Sequence, residues 1–270
     1  MKIGNKDFQT GGHTYVMGIL NVTPDSFSDG GRWNSVDGAL YRCEAMVEQG
    51  ADLIDVGGES TRPGHTPLGV QEELDRVLPV LEALKRRFDV PLSLDTSKAE
   101  VARLGIAAGA DLINDVWGLK RDAAMAEVIA AAGVPCCLMH NRTDTQYKDF
   151  LPDLLRDLRE CLTLADRAGI PRERVILDPG VGFAKSQEQN LEVLRRLEEL
   201  HELGCPLLLG CSRKSVIGRV LELPPEQRLE GTLTTTVWAV LKGCMFVRVH
   251  DVAENVRCVR MAEAILNNRI

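Results

Sequence analysis

The sequence repeats one pattern eight times: a short apolar segment is followed by a longer one in which apolar residues recur at helical spacing. Such alternation predicts parallel strands joined by right-handed helical crossovers. Eight repeats without a linker favour a closed barrel, so we predict an α/β fold, a single (β/α)8 TIM barrel. The predicted strands are residues 16–20, 53–56, 91–94, 111–113, 134–138, 175–177, 206–209 and 244–249, and the predicted helices are residues 35–50, 70–88, 97–109, 122–132, 150–169, 189–203, 215–242 and 253–267.

The length of the chain fits one domain, residues 1–270, and is close to that of a minimal barrel. We expect residues 1–14 to form a β-hairpin that turns at residues 10–12 and closes one end of the barrel. Long polar loops follow the first two barrel strands. The structural alternative is an open doubly wound sheet, which normally carries a G-x-G-x-x-G stretch after its first strand. Gly180 and Gly182 come closest to that stretch, but they follow the sixth strand.

Composition narrows the functional classes. The formal net charge of −7 disfavours general nucleic-acid binding, which needs a basic face, but it allows a small anion bound by a local cluster of Arg and Lys. The eight cysteines include no C-x-x-C pair, so free thiols are expected. The N-terminal residues lack the apolar stretch of a signal peptide, and no apolar run is long enough to span a membrane. We therefore expect a cytoplasmic protein that does not bind membranes.

Polar and charged residues follow the predicted strands at the point where each strand ends. In a barrel of this type, binding and catalytic groups sit at the carboxyl ends of the strands. We therefore expect these residues to meet at one mouth of the barrel, although most are far apart in the sequence. They are Asn21, Thr61, Arg62, Asp95, Asn114, Asp178, Ser212, Arg213, Lys214, Arg248 and His250.

Each of these residues taken alone also has an ordinary structural interpretation. Asp95 and Asp178 could cap the helices that follow them, because Asp is a favoured N-cap. His250 could be a hydrogen-bonded core histidine, and His140 with Arg142 could lie on the rim of a loop. These interpretations are weaker for the whole set than for single residues, because carboxylates, carboxamides and cations all converge on one barrel mouth. A ligand site is therefore the better interpretation of the set.

Two subsets of this group have different chemistry. Asp95, Asn114 and Asp178 offer hydrogen-bond acceptors and an amide, which suit a flat heterocycle rich in N–H donors, such as an amino-pyrimidinone. The second subset contains cationic side chains, which suit an anionic ligand. The planar fork of an arginine can bind phosphate or stack on a ring. No set of three His or Cys ligands for zinc stands at the strand ends. A magnesium ion that keeps most of its waters and binds a diphosphate is compatible with the sequence, with Asn21 as its protein ligand. The second subset, suited to an anion, is Asn21, Arg62, Arg248 and His250.

Eight sequence motifs, in order and spanning almost the whole chain, resemble the signature stretches of dihydropteroate synthases. A single motif such as Asp-Pro-Gly would mean little, but the combination is highly specific. The motifs occupy residues 21–31, 57–64, 94–98, 113–115, 138–140, 178–180, 212–214 and 248–251.

The resemblance implies a pterin-binding barrel that joins p-aminobenzoate to (7,8-dihydropterin-6-yl)methyl diphosphate in folate biosynthesis. The products are 7,8-dihydropteroate and diphosphate, the implied cofactor is Mg²⁺, and a homodimer is implied. Lys214, Arg248 and Asp95 are the expected catalytic residues. Carried onto this sequence, the family pattern assigns the pterin to Asp95, Asn114, Asp178 and Lys214, the diphosphate and magnesium to Asn21, Arg248 and His250, and the p-aminobenzoate side to Thr61 and Arg62 with Phe27, Pro63 and Ser215 nearby.

Two further expectations concern regions outside this pocket. Residues 22–34 are interpreted as a mobile lid in which Phe27 and Asp29 lie over the nucleophile when substrates are bound. The bipartite helical region from Ser215 to Lys242 is one candidate for the dimer surface.

Three other functions remain open at this point. A methyltetrahydrofolate:corrinoid methyltransferase-type barrel would share the Asp and Asn pocket but has no need of the cations. A Schiff-base aldolase could use Lys214, with Arg213 lowering its pKa, but would leave the carboxylates without a role. A non-catalytic pterin-binding paralogue would be expected to lose loop residues, and both loops look intact.

Overall fold

The computed structural model describes residues 1–22, 35–59 and 68–267. Ten strands and nine α-helices are described in those ranges. The strands are β1 (Lys2–Ile3), β2 (Lys6–Asp7), β3 (Tyr15–Asn21), β4 (Leu53–Gly57), β5 (Leu92–Asp95), β6 (Leu112–Asp115), β7 (Cys136–Met139), β8 (Val175–Asp178), β9 (Leu208–Leu209) and β10 (Phe246–Val249). The helices are α1 (Ser35–Glu48), α2 (Val70–Arg87), α3 (Ala99–Ala107), α4 (Met125–Ala132), α5 (Phe150–Ala168), α6 (Gln187–Arg195), α7 (Ser215–Leu221), α8 (Leu229–Leu241) and α9 (Val252–Asn267).

Strands β3 to β10 form the predicted parallel barrel. They lie in the order β8-β7-β6-β5-β4-β3-β10-β9, and a parallel bridge between Leu177 and Leu207 joins the two ends of that order. The Leu177 N–H donates to the carbonyl of Pro206 at 2.9 Å, so hydrogen bonding continues across the junction. The (β/α)8 barrel predicted from the alternating pattern is therefore confirmed.

Each barrel strand is buried on both faces, which explains its nearly continuous apolar sequence. On the outer face, Leu94 and Ile113 belong to the large core between strands and helices. Helix α3 approaches this layer closely at Gly105, where an added Cβ would lie 2.2 Å from Leu94 Cδ2. Alternate residues of the same strands point inward, so the inner face determines what the barrel can bind.

The N-terminal hairpin covers one end of the barrel, as expected, but its turn is elsewhere. Lys2 pairs with Asp7, and the chain turns at residues 4–5, where Gly4 adopts a φ of +58°. The prediction of a turn at residues 10–12 was therefore wrong, because a two-residue strand leaves no periodic signal beside the more obvious Gly-Gly pair. The ring of Phe8 packs against Tyr15 and lies 5.4 Å from the Phe246 ring centroid, and it fills the interior at this end.

Most helices match their predicted positions to within a few residues. The predicted helix 189–203 instead consists of α6 and a 3-10 helix over Leu197–Leu203. Helix α6 starts early because Ser186 and Gln189 form a capping box. The bipartite region divides into α7 and α8 as expected. None of the helices within residues 35–59 and 68–267 is long and apolar enough to cross a membrane.

Candidate active site at the carboxyl end of the barrel

Arg248 reaches from β10 across the barrel mouth to two acidic residues. Its Nε donates to Asp55 Oδ2 at 2.6 Å, and its Nη2 donates to Asp95 Oδ2 at 2.8 Å. Burial disfavours the charged guanidinium, but the two carboxylates outweigh burial and raise the pKa of Arg248. The mouth therefore contains a permanent cation whose orientation is fixed by two hydrogen bonds.

Asp55 lies beneath Arg248 and is fully buried on β4. Its Oδ1 accepts a hydrogen bond from the Ser93 hydroxyl at 2.5 Å. Its Oδ2 accepts a second hydrogen bond from Asn114 Nδ2 at 3.3 Å, in addition to the one from Arg248. Asp55 therefore positions the arginine and the asparagine of the mouth at the same time.

Asp95 has an oxygen that lacks a partner among the described residues. Its side chain is 5% exposed, and Oδ1 is buried without a hydrogen bond. Burial raises the pKa of Asp95, and the nearby Arg248 limits that rise. An unpaired buried carboxylate oxygen is costly, so this atom indicates a ligand that carries an N–H donor.

Asn21 lies at the end of β3, close to Asp95 at the end of β5. The two residues border the same small space at Gly57, where an added Cβ would lie 3.8 Å from Asn21 Oδ1 and 3.9 Å from Asp95 Oδ2. Glycine keeps this space open. The amide oxygen of Asn21 is a hard ligand of the kind that magnesium prefers. Among the described residues, no group of three or more His, Cys, Asp or Glu could hold a metal ion.

Asp178 and Lys214 border the opposite side of the mouth. Asp178 Oδ1 accepts a hydrogen bond from the Gly180 N–H at 2.7 Å. A Cβ added to Gly210 would lie 3.4 Å from Asp178 Oδ2 and 3.7 Å from Lys214 Nζ. Burial raises the pKa of Asp178 and lowers that of Lys214, while each charge favours the other. Glycine at position 210 leaves space for a ligand between an acceptor and a donor.

His250 follows β10 and is held by Ser212. The His250 backbone N–H donates to Ser212 Oγ at 3.2 Å, and the same hydroxyl lies 3.0 Å from His250 Nδ1. Ser212 therefore orients both the backbone and the ring of His250. The adjacent Arg213 instead forms an ion pair with Asp251 and adopts a φ of +58°.

Seven of the nine predicted site residues lie at one mouth of the barrel, at the ends of strands or, for Lys214, directly before α7. They are Asn21, Asp95, Asn114, Asp178, Lys214, Arg248 and His250. Thr61 and Arg62 lie outside the described residues, as do Phe27, Asp29 and Pro63 of the two loops. Ser215, which was expected near the p-aminobenzoate side, is the first residue of α7 and is exposed.

The alternative structural interpretations of Asp95, Asp178 and His140 are wrong. Lys98 rather than Asp95 precedes α3, and Ser186 rather than Asp178 caps α6. His140 is not a loop-rim residue, because its side chain is fully buried.

Two functional candidates were missed from the sequence. Asp55 stands inside an apolar strand, and its signal is a charge at an inward position, two residues after Leu53. Lys185 follows a glycine-rich loop and was treated as part of it, but the structure buries it with an exposure of 9%. Long charged side chains are almost never so buried unless they have partners, so Lys185 requires an explanation.

Comparison with known proteins identifies the family to which this geometry belongs. The family model described as "Pterin binding enzyme" matches residues 17–250. The chain is 56% identical to a dihydropteroate synthase of Clostridium beijerinckii, over 98% of this chain and 99% of that protein. It is 52% identical to a dihydropteroate synthase of Bacillus subtilis, over 94% of this chain and 89% of that protein.

Solved structures agree with these sequence comparisons. A Clostridium difficile dihydropteroate synthase crystallised with pteroic acid superposes with a TM-score of 0.93 at 52% identity, covering 96% of this chain and 99% of that one. A Xanthomonas albilineans dihydropteroate synthase with 4-aminobenzoic acid gives 0.91 at 44% identity, covering 94% and 93%. The chain therefore belongs to the dihydropteroate synthases, pterin-binding transferases of folate biosynthesis that form a C–N bond.

Proposed function

We infer that the mouth described above joins p-aminobenzoate to (7,8-dihydropterin-6-yl)methyl diphosphate. We also infer that one side of the mouth binds the pterin and the other binds the diphosphate. The chain is a dihydropteroate synthase, and the products are 7,8-dihydropteroate and diphosphate. The single observation that best supports the use of this mouth is the buried Asp95 Oδ1, which has no partner among the described residues. A pterin offers N–H donors to such an oxygen.

The pterin is proposed to bind between Asp95, Asn114, Asp178 and Lys214. Its amino-pyrimidinone edge presents donors to the carboxylates, and its carbonyl oxygen can accept from the ammonium group of Lys214. The space beside Gly210 separates Asp178 Oδ2 from Lys214 Nζ and suits such an edge. Arg248 is proposed to stack on the flat ring or to contact its diphosphate.

The diphosphate is proposed to lie toward Asn21, Arg248 and His250. The C–O bond breaks and its electron pair leaves with the diphosphate, so negative charge grows on the leaving group. A fixed cation stabilises that charge without reorganisation, and Arg248 is held by two carboxylates. The dihydropterin ring shares the positive charge left on the methylene carbon, which carboxylates favour.

The arylamine is a neutral nucleophile, and no described residue needs to act as a strong base for its attack. Its nitrogen lone pair forms the C–N bond, and the extra proton leaves the nitrogen afterwards. Exclusion of water and correct positioning contribute most, because water competes for the same carbon. Thr61 and Arg62 are proposed to form the p-aminobenzoate side.

Mg²⁺ is the proposed cofactor. Asn21 offers one hard oxygen at the mouth, which fits an ion that keeps most of its waters and binds the diphosphate oxygens. When bound, the ion would supply further neutralisation of the leaving group. Replacement of Asn21 by alanine should raise the magnesium concentration needed for half-maximal activity. An unchanged magnesium requirement would remove Asn21 as a ligand.

The alternative functions receive less support. The cations at this mouth have no role in a methyltransferase-type barrel. An aldolase would leave Asp95, Asn114 and Asp178 without a function. A non-catalytic paralogue would bind the pterin but would release no diphosphate.

The decisive experiment measures diphosphate and dihydropteroate together, with the pterin substrate and magnesium, in the presence and absence of p-aminobenzoate. We expect both products in equal amounts, and only when p-aminobenzoate is present. Diphosphate release that does not depend on p-aminobenzoate, with no dihydropteroate formed, would contradict the proposal.

We also propose that the chain forms a homodimer in the cytoplasm. Apolar side chains are exposed on α7 and α8, including Val220 at 57% and Leu241 at 51%. Such a patch favours association with a second copy. All eight cysteines are free thiols, seven of them buried, which fits a reducing compartment. Sedimentation of the purified chain and cell fractionation test the two proposals.

A further inference from the structure

Lys185 is a buried cation with a complete set of acceptors. Its Nζ lies 2.9 Å from the Gly180 carbonyl oxygen, 3.1 Å from the Phe183 carbonyl oxygen and 2.9 Å from His140 Nδ1. An ammonium group has three N–H donors, so each donor has one acceptor. Two of these acceptors belong to the loop that follows β8, and the third is His140, the residue that follows β7.

On its outer side, this ammonium group is supported by a chain of hydrogen bonds. His140 donates from Nε2 to Asp157 Oδ2 at 3.0 Å, so its Nδ1 is the acceptor for Lys185. Burial, which outweighs the attraction of Asp157, lowers the pKa of His140 to about 4 and keeps the ring neutral. Arg142 also donates to Asp157. Burial alone would raise the pKa of Asp157, but the bonds from His140 and Arg142 hold it below its usual range.

On its inner side, the same loop holds two residues of the proposed pterin pocket. The Gly180 N–H donates to Asp178 Oδ1 at 2.7 Å. Lys214 Nζ donates to the Val181 carbonyl oxygen at 2.6 Å and lies 4.8 Å from the Phe183 ring centroid. The two residues whose carbonyls Lys185 binds, Gly180 and Phe183, therefore also contact Asp178 and Lys214.

The path of the loop needs this support because its backbone is unusual. Gly180 has a φ of +69°, and an added Cβ would lie 2.0 Å from the His140 carbonyl oxygen. Ala184 has a φ of +44°, which is rare for a residue with a side chain. The loop thus holds a strained conformation next to the pocket, and surrounding contacts must maintain it.

We propose that Lys185 is a positioning residue, whose ammonium group fixes the loop of residues 178–186 against His140 and so sets Asp178 and Lys214 for the pterin. This inference rests on the assignment of Asp178 and Lys214 to the pterin pocket under the proposed function. Lys185 itself is not expected to touch the substrate. It acts through the carbonyls of Gly180 and Phe183.

The positioning should depend on pH, because a neutral amine has one donor fewer. Burial, as the largest cause, lowers the pKa of Lys185 to about 7. The charged groups that face it from the surrounding elements are Asp178, Lys214, Asp157 and Arg142. The carboxylates favour the charged amine, whereas Lys214 and Arg142 oppose it. Above neutral pH, Lys185 should therefore lose one of its three hydrogen bonds to the loop and His140.

The stability of the fold should change with pH in the opposite direction. The pKa of Lys185 falls from the ordinary 10.5 to about 7 on folding, so between these values the unfolded chain binds more protons. The contribution of this group to the free energy of unfolding therefore rises as pH increases through that window.

The test compares pteroic acid binding to the full chain and to Lys185→Met by calorimetry from pH 6 to pH 9. At pH 6, we expect the variant to bind roughly tenfold more weakly, the usual effect of one charge-assisted hydrogen bond. At pH 9, the ratio of the two affinities should be smaller than at pH 6, because the neutral amine of Lys185 then keeps only two of its three donors. Lys148→Met, the same substitution at an exposed site before α5, should bind like the natural chain at every pH.

Two further measurements keep the result interpretable. Thermal unfolding of Lys185→Met establishes that the variant folds, and Asp178→Asn tests the pocket itself. If Asp178→Asn loses binding while Lys185→Met binds normally at pH 6, the positioning role is wrong and the pocket is right. If both bind normally, the pocket assignment fails and this inference fails with it. A binding ratio that stays constant with pH would also overturn the role of the ammonium charge.

Discussion

The two ends of the barrel interior are built from the same strands but contain opposite chemistry. At the N-terminal end, Phe8 from the hairpin packs on Tyr15 and Phe246 in an apolar cluster. At the carboxyl end, β10 places Arg248 only two residues after Phe246, and Arg248 contacts two buried carboxylates. One end is filled by its own side chains, and the other contains a buried oxygen without a partner in the described part of the chain.

The difference shows how one fold separates stability from function. Alternate residues of a strand point to the same face. Two inward-facing residues that are two positions apart can therefore lie one in the apolar core and the other in the site. Buried charges cost free energy even when they are paired. Burial of the apolar end, together with the outer core, offsets that cost. We therefore expect substitutions at the two ends to have different effects, and the following predictions start with the largest.

Arg248→Lys should reduce kcat/KM for dihydropteroate formation by about 10³-fold, because a lysine keeps the charge but cannot donate to Asp55 and Asp95 in the fixed geometry of a guanidinium. Steady-state kinetics on folded protein measures this effect. Arg257→Lys, at a side chain that is 70% exposed, is the matched control and should be neutral. A loss of less than tenfold for Arg248→Lys would remove it from the transition-state machinery.

Phe8→Ala should lower the free energy of unfolding by about 3 kcal/mol, because it leaves a cavity in the closed end of the barrel. The kcat/KM of the molecules that remain folded should be unchanged. Chemical denaturation and kinetics on the same sample measure both quantities. Ile265→Ala, at a residue that is 70% exposed, should hardly change stability. If Phe8→Ala lost activity without losing stability, the proposed division between the ends would be wrong.

Asp55→Asn should weaken kcat/KM roughly 30-fold, equivalent to about 2 kcal/mol, because the bond to Arg248 loses its charge assistance. Asp52→Asn is the control at the other end of β4, where Asp52 binds Lys6. That variant should change stability slightly and leave kinetics alone. Equal kinetic losses in the two variants would contradict a specific role for Asp55.

The pH profile of pterin binding should fall several-fold from pH 7 to pH 6, the smallest of these effects. Burial raises the pKa of Asp95 to about 7, and an ionised carboxylate accepts the pterin donors best. The pKa is raised on folding, so the stability that Asp95 contributes is full at low pH and disappears as pH rises through about 7. Asp95→Asn should remove this part of the profile, and an unchanged profile would exclude Asp95 as its source.

The barrel could be predicted because its signals are periodic and local. Eight apolar segments with polar ends specify both the sheet and the mouth to which those ends contribute. The turn near Gly4 escaped prediction because β1 and β2 contain two residues each, which is too short for any pattern.

Asp55 and Lys185 escaped for a different reason. Their importance depends on partners that are distant in sequence: Arg248 for Asp55, and His140 for Lys185. A sequence pattern shows that a charge lies in an apolar strand or follows a glycine-rich loop. It does not show which face of the element the charged side chain occupies, or whether a hydrogen-bonding partner lies next to it. The roles of Thr61, Arg62 and the magnesium ligand stay predictions.

The most direct test of the central claim, that the carboxyl-end mouth binds the pterin, is the rate of dihydropteroate formation by Asp178→Asn. This substitution keeps the shape of the side chain but removes the charge that faces Lys214. We predict a loss in kcat/KM of at least about 100-fold, with the melting temperature changed by only a few degrees. Normal turnover by a folded Asp178→Asn protein would contradict the account.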